Sequence, residues 1–569
     1  MLDKAIVLDL YFIIIAMTET TKPWFKKYEP NVPYSLNYEE VPLFKILEES
    51  SIKYPNKTAI TFYNYSITYE ELLKKVESLK TALYDLGIRK GDRVALMLPN
   101  TPHYIISYFA VLKLGAIVVQ MNPLYSKSEI EFILKDSTPK ALITLDLFLD
   151  KILQIKDNVP TKIFIIGRIK EFLNFPLNFL YSLKTIFSKT PPIPSNFHVF
   201  SSLLYTNPKI IDVQINPKED IAVLQYTGGT TGKPKGAMLT HFNLYSNVKQ
   251  LIAWTTNIDY GNERTLIVIP LFHVYGMTVG MNYTIAVGGN IVLLPKFNLE
   301  EVIETIEKHK ITNFPGVPAI YNAINNYKDI DKHNLTSIKL CLSGAAPLPI
   351  QVKQQFEKVT GAKLIEGYGL SEASPVTHAN PIYGENREGS IGLPLPDTDA
   401  KIVDLETGEE LPPGKEGELI IKGPQVMKGY WSNEEETKQT LKDGWLFTGD
   451  IAKMDEDGYF YIIDRKKDMI IVHGFNVYPR NVEEVLYKHP KIKEAAVVGI
   501  KKPEIADEIV KAYVVVKEGE TLTKDELLNY LKEHLTYYEV PSEIEFTNEI
   551  PKSLIGKPLR RVLREKDSS

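Results

Sequence analysis

The chain has 569 residues, of which 44% are hydrophobic and 24% are charged, a composition typical of a globular protein with room for two or more domains. Its 71 acidic and 66 basic residues give a formal net charge of -5, so there is no bulk positive charge to predict a nucleic-acid partner. Cys341 is the only cysteine, which excludes an intramolecular disulfide and a cysteine-ligated metal cluster and favours a reducing cytoplasm.

The first sixteen residues contain an apolar run, 5–16, that is interrupted by Asp9. The run is shorter than the roughly 20 residues of a membrane-spanning helix. It also lacks the strongly basic start and small-residue cleavage site of a signal peptide. We expect residues 1–16 to be an extension upstream of a misassigned start, with Met17 as the alternative initiator. A membrane anchor or an extra packing segment is the competing interpretation.

Helical and strand patterns alternate along the next part of the chain. Thr68 and Glu71 have the spacing of a capping box, and apolar residues then recur at helical spacing until Gly87. The clearest later segments are a strand at 93–98, a helix at 105–114, and strands at 116–120, 266–269, 291–294 and 338–342. Alternating α and β segments predict a layered α/β architecture.

The segment 168–189 is basic and aromatic, with Glu171 as its only acid. Pro176 is expected to kink or break a helix there. The apolar residues at roughly helical spacing are Phe172, Phe175, Phe179, Leu183 and Ile186. We favour packing of this face on the protein itself or on a second subunit of an oligomer, because amphipathic helices usually pack internally. Peripheral membrane contact is the alternative, since such a segment can also lie on a membrane surface.

A strand pattern at 221–224 leads into the sequence YTGGTTGKPKGAMLTH at 226–241. Glycines allow close approach of the backbone to a ligand, while hydroxyl groups and lysines attract phosphate oxygens. The predicted phosphate-binding residues are Thr227, Gly228, Gly229, Thr230, Thr231, Gly232, Lys233 and Lys235. Thr227 at the first position and Pro234 after Lys233 exclude a Walker loop.

This loop resembles the signature of the adenylate-forming superfamily of acyl-CoA synthetases, luciferases and peptide-synthetase adenylation domains. Its YTGGTTG form is most similar to medium- and long-chain fatty acid CoA ligases, and the resemblance extends over roughly 22–566. It implies a large layered α/β N-terminal domain and a small mobile α+β C-terminal domain. It also implies ATP, Mg²⁺ and CoA as cofactors and substrates.

A charged break at 465–468 separates two parts of the sequence. Beyond it lie separate strand patterns at 495–500 and 509–516 and a helical pattern at 524–535. We therefore predict a large ATP- and acyl-binding domain at 17–463, a hinge at 464–468 and a small lid domain at 469–569. The resemblance makes Lys467 the position about which the small domain rotates. A solvated charged linker has the same appearance.

The resemblance also assigns roles around the sequence EGYGLSEASP at 366–375. Tyr368 would pack near the adenine, Ser371 would contact phosphate, and Glu372 together with Thr227 would hold Mg²⁺. Oxygen ligands are those that this hard cation prefers. Gly367 and Gly369 would border the substrate, and Gly369 also the nucleotide. The adenine-side loop, LSGAAPL at 342–348, would place Gly344, Ala345 and Ala346 against the purine.

Two further motifs resemble the ribose and acyl sites of the superfamily. Asp450, at the end of DGWLFTGD, and Arg465 would bind the ribose, although an aspartate beside glycine is also an ordinary turn residue. The segments 271–277 and 314–318 would line the acyl pocket. His273 would orient the substrate carboxylate or close the tunnel, or be a packed core histidine. Trp254 would be a tunnel wall or, as we favour, a core residue.

The last motif, PKSLIGKPLRR at 551–561, resembles the C-terminal lysine loop of the superfamily. Lys557 would bridge the carboxylate and the α-phosphate, completing a catalytic set with Glu372 and Thr227. A merely basic tail is the alternative. After domain rotation, Gly474 and Phe475 would approach the pantetheine of CoA.

The expected function is ATP-dependent activation of a carboxylic acid, favoured as a medium- or long-chain fatty acid, followed by transfer to CoA. The alternatives are an aryl-acid CoA ligase, an adenylation enzyme that loads a carrier protein, and a non-catalytic nucleotide-binding regulator. A cytoplasmic location, with peripheral attachment to the membrane as an addition, is expected.

Overall fold

The computed structural model describes residues 22–186, 191–227, 234–472, 475–501, 508–552 and 558–567. The strands are β1 Thr58–Phe62, β2 Tyr65–Thr68, β3 Arg93–Met97, β4 Ile117–Gln120, β5 Ala141–Leu145, β6 Ile163–Gly167, β7 His198–Val199, β8 Ile221–Thr227, β9 Lys235–Thr240, β10 Arg264–Ile267, β11 Asn290–Leu293, β12 Leu340–Ser343, β13 Lys363–Gly369, β14 Val376–Ala379, β15 Leu393–Pro394, β16 Asp399–Val403, β17 Gly417–Lys422, β18 Gly429–Tyr430, β19 Leu441–Lys442, β20 Trp445–Met454, β21 Phe460–Arg465, β22 Ile470–Val472, β23 Phe475–Val477, β24 Ile492–Lys501, β25 Glu508–Val516 and β26 Glu543–Phe546.

The α-helices lie between these strands. They are α1 Lys45–Lys53, α2 Tyr69–Asp85, α3 Pro102–Lys113, α4 Lys127–Ser137, α5 Leu149–Ile155, α6 Leu177–Ile186, α7 Phe200–Leu203, α8 His241–Trp254, α9 Tyr283–Ala286, α10 Leu299–His309, α11 Pro318–Asn325, α12 Ile350–Thr360, α13 Glu434–Thr440, α14 Pro479–Lys488, α15 Lys524–His534 and α16 Arg560–Asp567. The predicted fold class, a large α/β part followed by a small α+β part, is confirmed.

The predicted elements in the first part of the chain are present with small shifts at their ends. Helix α2 begins with the expected capping box, because Thr68 Oγ1 accepts from the amide of Glu71 and the Glu71 carboxylate accepts from the amide of Thr68. The strand pattern at 93–98 is β3, and the helical pattern at 105–114 falls in α3. Helix α2 was readable from its cap and its helical spacing, whereas β3 and α3 were readable as nearly uninterrupted apolar runs.

An eight-stranded sheet has the order β18-β9-β8-β4-β3-β5-β6-β7. The strands from β8 to β7 pair in parallel, whereas β9 pairs antiparallel with β8 and β18. Strands β4 and β5 are buried at every residue, as expected for parallel strands covered on both faces.

A second layer is built from the orders β2-β1-β11-β10 and β12-β13-β14-β15. Asn313 joins the two groups by bridging Thr265 of β10 and Leu340 of β12. A third sheet contains β16, β17, β20, β19 and β21. One large apolar core extends across these layers, so helices and sheets together fix the ends of β12, β13 and β20, where the candidate site lies.

The C-terminal part has its own sheet, β24-β25-β26, and a β22-β23 hairpin. Helices α14 and α15 pack their apolar sides, including Leu486 and Leu527, against Val497 and Val514 of this sheet. A separate apolar core is the physical basis of the small domain. The exact boundaries 17–463, 464–468 and 469–569 and the mobility of the small domain remain predictions. Residues 1–16 lie outside the described residues.

Candidate active site

The predicted phosphate loop connects β8 to β9, which pair antiparallel in the eight-stranded sheet. Thr227 and Lys235 form the last registered pair of this hairpin. The Lys235 ammonium contacts the carboxylate of Glu436 on α13 and lies 5.6 Å from the centre of the Tyr430 ring. The hairpin therefore holds both ends of the loop. Gly228, Gly229, Thr230, Thr231, Gly232 and Lys233 lie outside the described residues.

Residues that are far apart in the sequence meet at Asp450. Asp450 and Arg465 are registered partners on β20 and β21, with Arg465 Nε 3.3 Å from Asp450 Oδ1. The Tyr368 hydroxyl, at the end of β13, donates to Asp450 Oδ2 at 2.5 Å. Asp450 raises the pKa of Arg465, and burial raises the pKa of Tyr368. The guanidinium therefore stays charged and the phenol stays protonated.

Glu372 lies in a short helical turn, Ser371–Ala373, directly after this strand. Its Oε1 accepts a hydrogen bond of 2.9 Å from the Tyr430 hydroxyl, and its carbonyl oxygen accepts from the amide of Met427 at 2.7 Å. Burial and the Glu372 carboxylate raise the pKa of Tyr430. Glu372 is thus oriented by β18, the strand that borders β9 and the phosphate loop.

Tyr430 and Glu436 are two residues of the site that sequence reasoning missed. Both lie in 429–440, a stretch without a recognisable motif. Their relation to Glu372 and Lys235 depends on the pairing of β18 with β9. A two-residue strand carries no periodic signal, so no pattern in the sequence could have revealed it.

The loop after β12 is shaped by small residues. A Cβ on Gly344 would lie 3.2 Å from Cζ of Tyr275, and Ala345 has φ +69°. The turn after β13 is equally tight, since a Cβ on Gly369 would lie 2.0 Å from the carbonyl oxygen of Pro375. A side chain at Gly369 would displace backbone, and one at Gly344 would press on the Tyr275 ring.

An apolar cavity lies beside these loops. Leu342 of β12 and Ile365 of β13 line the cavity. The same two strands continue directly into the 344–346 loop and the Gly367–Tyr368–Gly369 turn. The remaining lining residues are Leu251, Trp254, Thr255, Thr265, Val279, Tyr283, Asn313, Phe314, Pro315, Leu340, Ala379 and Ile382.

Trp254 lines this cavity and is at the same time buried, with its indole N–H donating to the carbonyl of Asn380 at 3.1 Å. The core and tunnel-wall interpretations of Trp254 are therefore compatible. His273 precedes a π-helical segment, Gly276–Asn282, and its Nδ1 accepts from the amide of Tyr275 at 3.2 Å. His273 does not line the cavity, and its predicted role in substrate binding remains a prediction.

The predicted hinge is tied to the C-terminal helix by an ion-pair network. Asp468, next to Lys467, accepts from Arg564 at 2.8 Å and from Arg560 at 3.3 Å. Arg560 also donates to Glu483 of α14 at 2.7 Å. On the small domain, Phe475 is partly exposed and stacks on Tyr538 with ring centres 4.5 Å apart. Gly474 and Lys557 lie outside the described residues.

The residues present fit ATP and Mg²⁺. Asp450 and Arg465 offer an acceptor and a donor of the kind that ribose hydroxyl groups need. Glu372 offers carboxylate oxygen to a hard cation, with Oε2 outside the bond to Tyr430. Within the part of the chain that the structure describes, the buried oxygens Ser343 Oγ, Ser374 Oγ and Gln225 Oε1 have no hydrogen-bond partner. Such atoms close to an open site are compatible with a polar ligand.

Comparisons with known proteins agree with this geometry. The chain is 48% identical to a long-chain-fatty-acid–CoA ligase of Bacillus subtilis over 97% of its own length and 99% of the relative. It is 37% identical to the ligase of the same name from Escherichia coli O6:H1, covering 96% and 98%. It aligns with the structure of ATP-bound MatB from Rhodopseudomonas palustris with a TM-score of 0.81 and 28% identity, covering 92% and 99%.

The model of the AMP-binding enzyme family matches residues 47–431, and that of the AMP-binding enzyme C-terminal domain matches 481–557. These matches confirm the resemblance that the phosphate loop indicated, and they cover both parts of the described fold. The chain belongs to the AMP-binding enzyme family.

Proposed function

We propose that the protein is an AMP-forming fatty acid–CoA ligase. It converts a carboxylic acid and ATP to an acyl-adenylate and pyrophosphate, and then transfers the acyl group to CoA with release of AMP. The single observation that carries the proposal is the continuity of β12 and β13. Leu342 and Ile365 line the apolar cavity, Gly344 follows directly after β12, and Tyr368 lies further along β13 at the nucleotide side.

The apolar cavity suits an alkyl chain. Among the described residues that line it, none has a charged side chain, so an amino-acid ammonium group or a second carboxylate would find no ionic partner in this lining. An alkyl tail gains from leaving water, by about 0.8 kcal/mol for each buried CH₂. Together with the names of the curated relatives, this favours a medium- or long-chain fatty acid over an aryl acid.

At the nucleotide side, Asp450 and Arg465 bind the ribose and Tyr368 packs against the adenine beside Gly344, Ala345 and Ala346. Ser371 and the loop from Thr227 to Lys235 bind the phosphates. Thr227 and Glu372 would hold Mg²⁺, which would supply positive charge against the leaving pyrophosphate. Lys557 stabilises the charge that develops between the carboxylate and the α-phosphate.

The first half of the reaction is chiefly a problem of position and charge. A carboxylate is a poor acyl donor because its oxygen is a poor leaving group. Attack of the carboxylate oxygen on the α-phosphorus forms an acyl–phosphate bond and expels pyrophosphate. In the second half, the CoA thiolate attacks the acyl carbon and AMP leaves, with Gly474 and Phe475 of the small domain beside the pantetheine.

The alternatives lead to different acceptors or to no turnover. An aryl-acid CoA ligase would prefer benzoate or hydroxycinnamate. A carrier-loading enzyme would adenylate its acid but would not turn over with free CoA. A nucleotide-binding regulator would bind ATP without releasing AMP. No feature of the described residues favours one of these over the fatty acid–CoA ligase.

The test is AMP release from ATP, Mg²⁺ and CoA with acids from acetate to oleate and with benzoate. We expect turnover with medium- or long-chain acids only when CoA is present. Val279→Phe should shift the preference to shorter acids, because the ring would occupy the cavity that Val279 lines. Preference for benzoate, pyrophosphate exchange without thioester, or no turnover would each contradict the proposal.

Among the residues that the structure describes, no helix is both long and apolar enough to cross a membrane. We propose that the enzyme works in the cytoplasm and contacts a membrane peripherally through the segment 168–189. Oligomerisation stays a prediction.

A further inference from the structure

The apolar cavity beside the nucleotide site has one polar end. Thr265 and Asn313 both line the cavity and pair with each other as parallel neighbours. Gly316, three residues after Asn313, pairs in parallel with Ser343, which directly precedes the loop at 344–346. At about 3.3 Å for each residue, Asn313 lies about 10 Å further from this loop than Gly316 does. We call this part of the cavity its far end.

Tyr283 brings a hydroxyl group without a hydrogen-bond partner to the far end. It begins helix α9 and lines the cavity. Its side chain is only 7% exposed, and no other group among the described residues forms a hydrogen bond with its hydroxyl. Burial raises the pKa of the phenol, so the hydroxyl keeps its proton and remains a donor. Thr255, which also lines the cavity, acts on this pKa in the opposite direction and so lies beside the phenol, outside hydrogen-bond geometry.

Two other buried tyrosines near the cavity wall have acceptors within the protein. The Tyr321 hydroxyl donates to the carbonyl oxygen of Phe314 at 2.8 Å, and the Tyr275 hydroxyl donates to that of Gly316 at 3.2 Å. A buried hydroxyl without a partner costs free energy, and such groups are uncommon in folded proteins. The exception at Tyr283 is therefore expected if its acceptor belongs to a ligand.

The far end offers neutral polar atoms to such a ligand. Asn313 donates its amide N–H to Glu263 Oε2 at 3.2 Å, which leaves its amide oxygen as an acceptor. Glu263 is 3% exposed and lies behind the cavity wall, so a carboxylate of the ligand would meet like charge here. A hydroxyl group accepts from Tyr283 and donates to Asn313 or Thr255 at the same time. It is therefore the ligand group that suits this end best.

We propose that the far end binds a hydroxyl group at or next to the methyl end of the fatty acid, with Tyr283 as its donor. The substrate class then includes hydroxylated fatty acids, and Tyr283 is a specificity-determining residue. The inference rests on the proposed function, because the carboxylate of the same acid lies at the nucleotide side. The alkyl chain between the two ends lies along apolar lining residues such as Val279 and Leu342.

The experiment compares acids of equal chain length with and without a terminal hydroxyl group, from octanoate to palmitate, by AMP release with CoA. We expect the wild type to use the hydroxy acid of matching length at least as efficiently as the unsubstituted acid. Tyr283→Phe should lower the ratio of the two kcat/KM values by about tenfold, because the buried substrate hydroxyl loses its donor. The dicarboxylic acid of the same length should be a poor substrate of both proteins.

Tyr69→Phe is the matched control. The Tyr69 hydroxyl is fully buried as well, but it donates to the carbonyl oxygen of Gly289 at 2.6 Å, and neither residue lines the cavity. This variant should keep the wild-type ratio and have a lower thermal midpoint, since it loses a protein hydrogen bond. Tyr283→Phe loses no such bond and should keep the wild-type midpoint.

Two results would overturn the inference and leave the proposed function intact. One is an unchanged kcat/KM ratio in Tyr283→Phe, which would assign the hydroxyl to an ordered water. The other is failure of the wild type to use any hydroxy acid although unsubstituted acids react. If no protein turned over any acid, the proposed function would fail. Dissociation constants of the same acids, measured by calorimetry without ATP, would then decide the role of Tyr283.

Discussion

The Tyr430 hydroxyl connects the proposed metal ligand Glu372 to β18 through one hydrogen bond of 2.9 Å. Removing it in Tyr430→Phe keeps the ring but frees the carboxylate to rotate. Loss of such an orienting bond typically weakens metal binding by about tenfold or more. We therefore expect Tyr430→Phe to require about tenfold more Mg²⁺ for half-maximal AMP release.

The matched control is Tyr461→Phe, which removes a similar hydroxyl hydrogen bond, to Asp455 at 3.1 Å, away from Glu372. Its Mg²⁺ requirement should equal that of the wild type. An unchanged Mg²⁺ titration for Tyr430→Phe would show that Tyr430 does not position the metal ligand, whereas a lower kcat at unchanged Mg²⁺ requirement would assign it another role.

Glu366 is a carboxyl group in an unfavourable environment. Burial raises its pKa from 4.5 to about 7, although the amide of Leu348 donates to it at 3.3 Å and Arg480 and Lys353 lie nearby. Between these two pKa values the folded protein keeps a proton that the unfolded chain has released. Glu366 therefore contributes to the free energy of unfolding below about pH 4.5. This contribution, at most about 3 kcal/mol, is lost as the pH rises to about 7.

Glu366→Gln keeps the acceptor for Leu348 but cannot ionise. We expect the free energy of unfolding of the wild type, relative to this variant, to fall between about pH 5 and pH 8. Urea unfolding at both pH values measures the difference. Parallel pH profiles for the two proteins would mean that Glu366 is ionised normally in the folded state.

At the scale of elements, the sequence was informative where one period dominates. Helix α2 and strands β3 and β25 were readable from apolar spacing and from the cap at Thr68. The pairings between distant strands were not, because a strand does not encode its partner. The resemblance assigned Asp450 and Arg465 to one ribose site, but neither the register that places them opposite each other nor the contact between β18 and β9 was predicted.

Helix α16 stabilises the small domain through Arg560. Its guanidinium donates to both oxygens of Glu483, at 2.7 and 2.9 Å, and Glu483 is 8% exposed. Arg560→Ala would leave this buried carboxylate without a positive partner, a change that typically costs about 3–5 kcal/mol. We expect earlier unfolding of 469–569, measured by limited proteolysis and thermal unfolding.

Arg561→Ala is the matched control. Arg561 is the next residue on the same helix, but its pair with Glu565 is exposed on both sides, with side chains 63% and 64% accessible. Exposed ion pairs contribute little to stability, so Arg561→Ala should behave as the wild type does. Equal destabilisation by both variants would indicate loss of helix α16 itself and would contradict the specific role of Arg560.

For the whole molecule, the order of motifs was sufficient to predict two domains and one adenylate-forming site. The cavity beside β12 and β13 could not be predicted from the sequence, since its lining comes from seven separate stretches of chain. The aromatic spacing before and within α6 also gave a wrong expectation of one shared face. Phe172 is buried, whereas Phe175 and Phe179 are exposed. Both features depend on three-dimensional packing that local periodicity does not specify.

Substitution of Lys557 tests whether the two half-reactions depend on different groups and on different arrangements of the two domains. In the proposed mechanism its charge acts where the carboxylate attacks ATP and is not required when a thiol attacks an acyl-adenylate that already exists. Lys557→Ala should therefore lower pyrophosphate release from acid and ATP by about 100-fold or more, while conversion of supplied acyl-adenylate and CoA to thioester continues. Lys552→Ala, which removes a neighbouring base paired with Glu494 at 2.8 Å, should retain both half-reactions. Equal loss of the first half-reaction in the two variants would contradict an individual role for Lys557. Adenylation would then depend on the overall positive charge of the C-terminal segment. If Lys557→Ala lost both half-reactions equally, one arrangement of the domains would serve both steps.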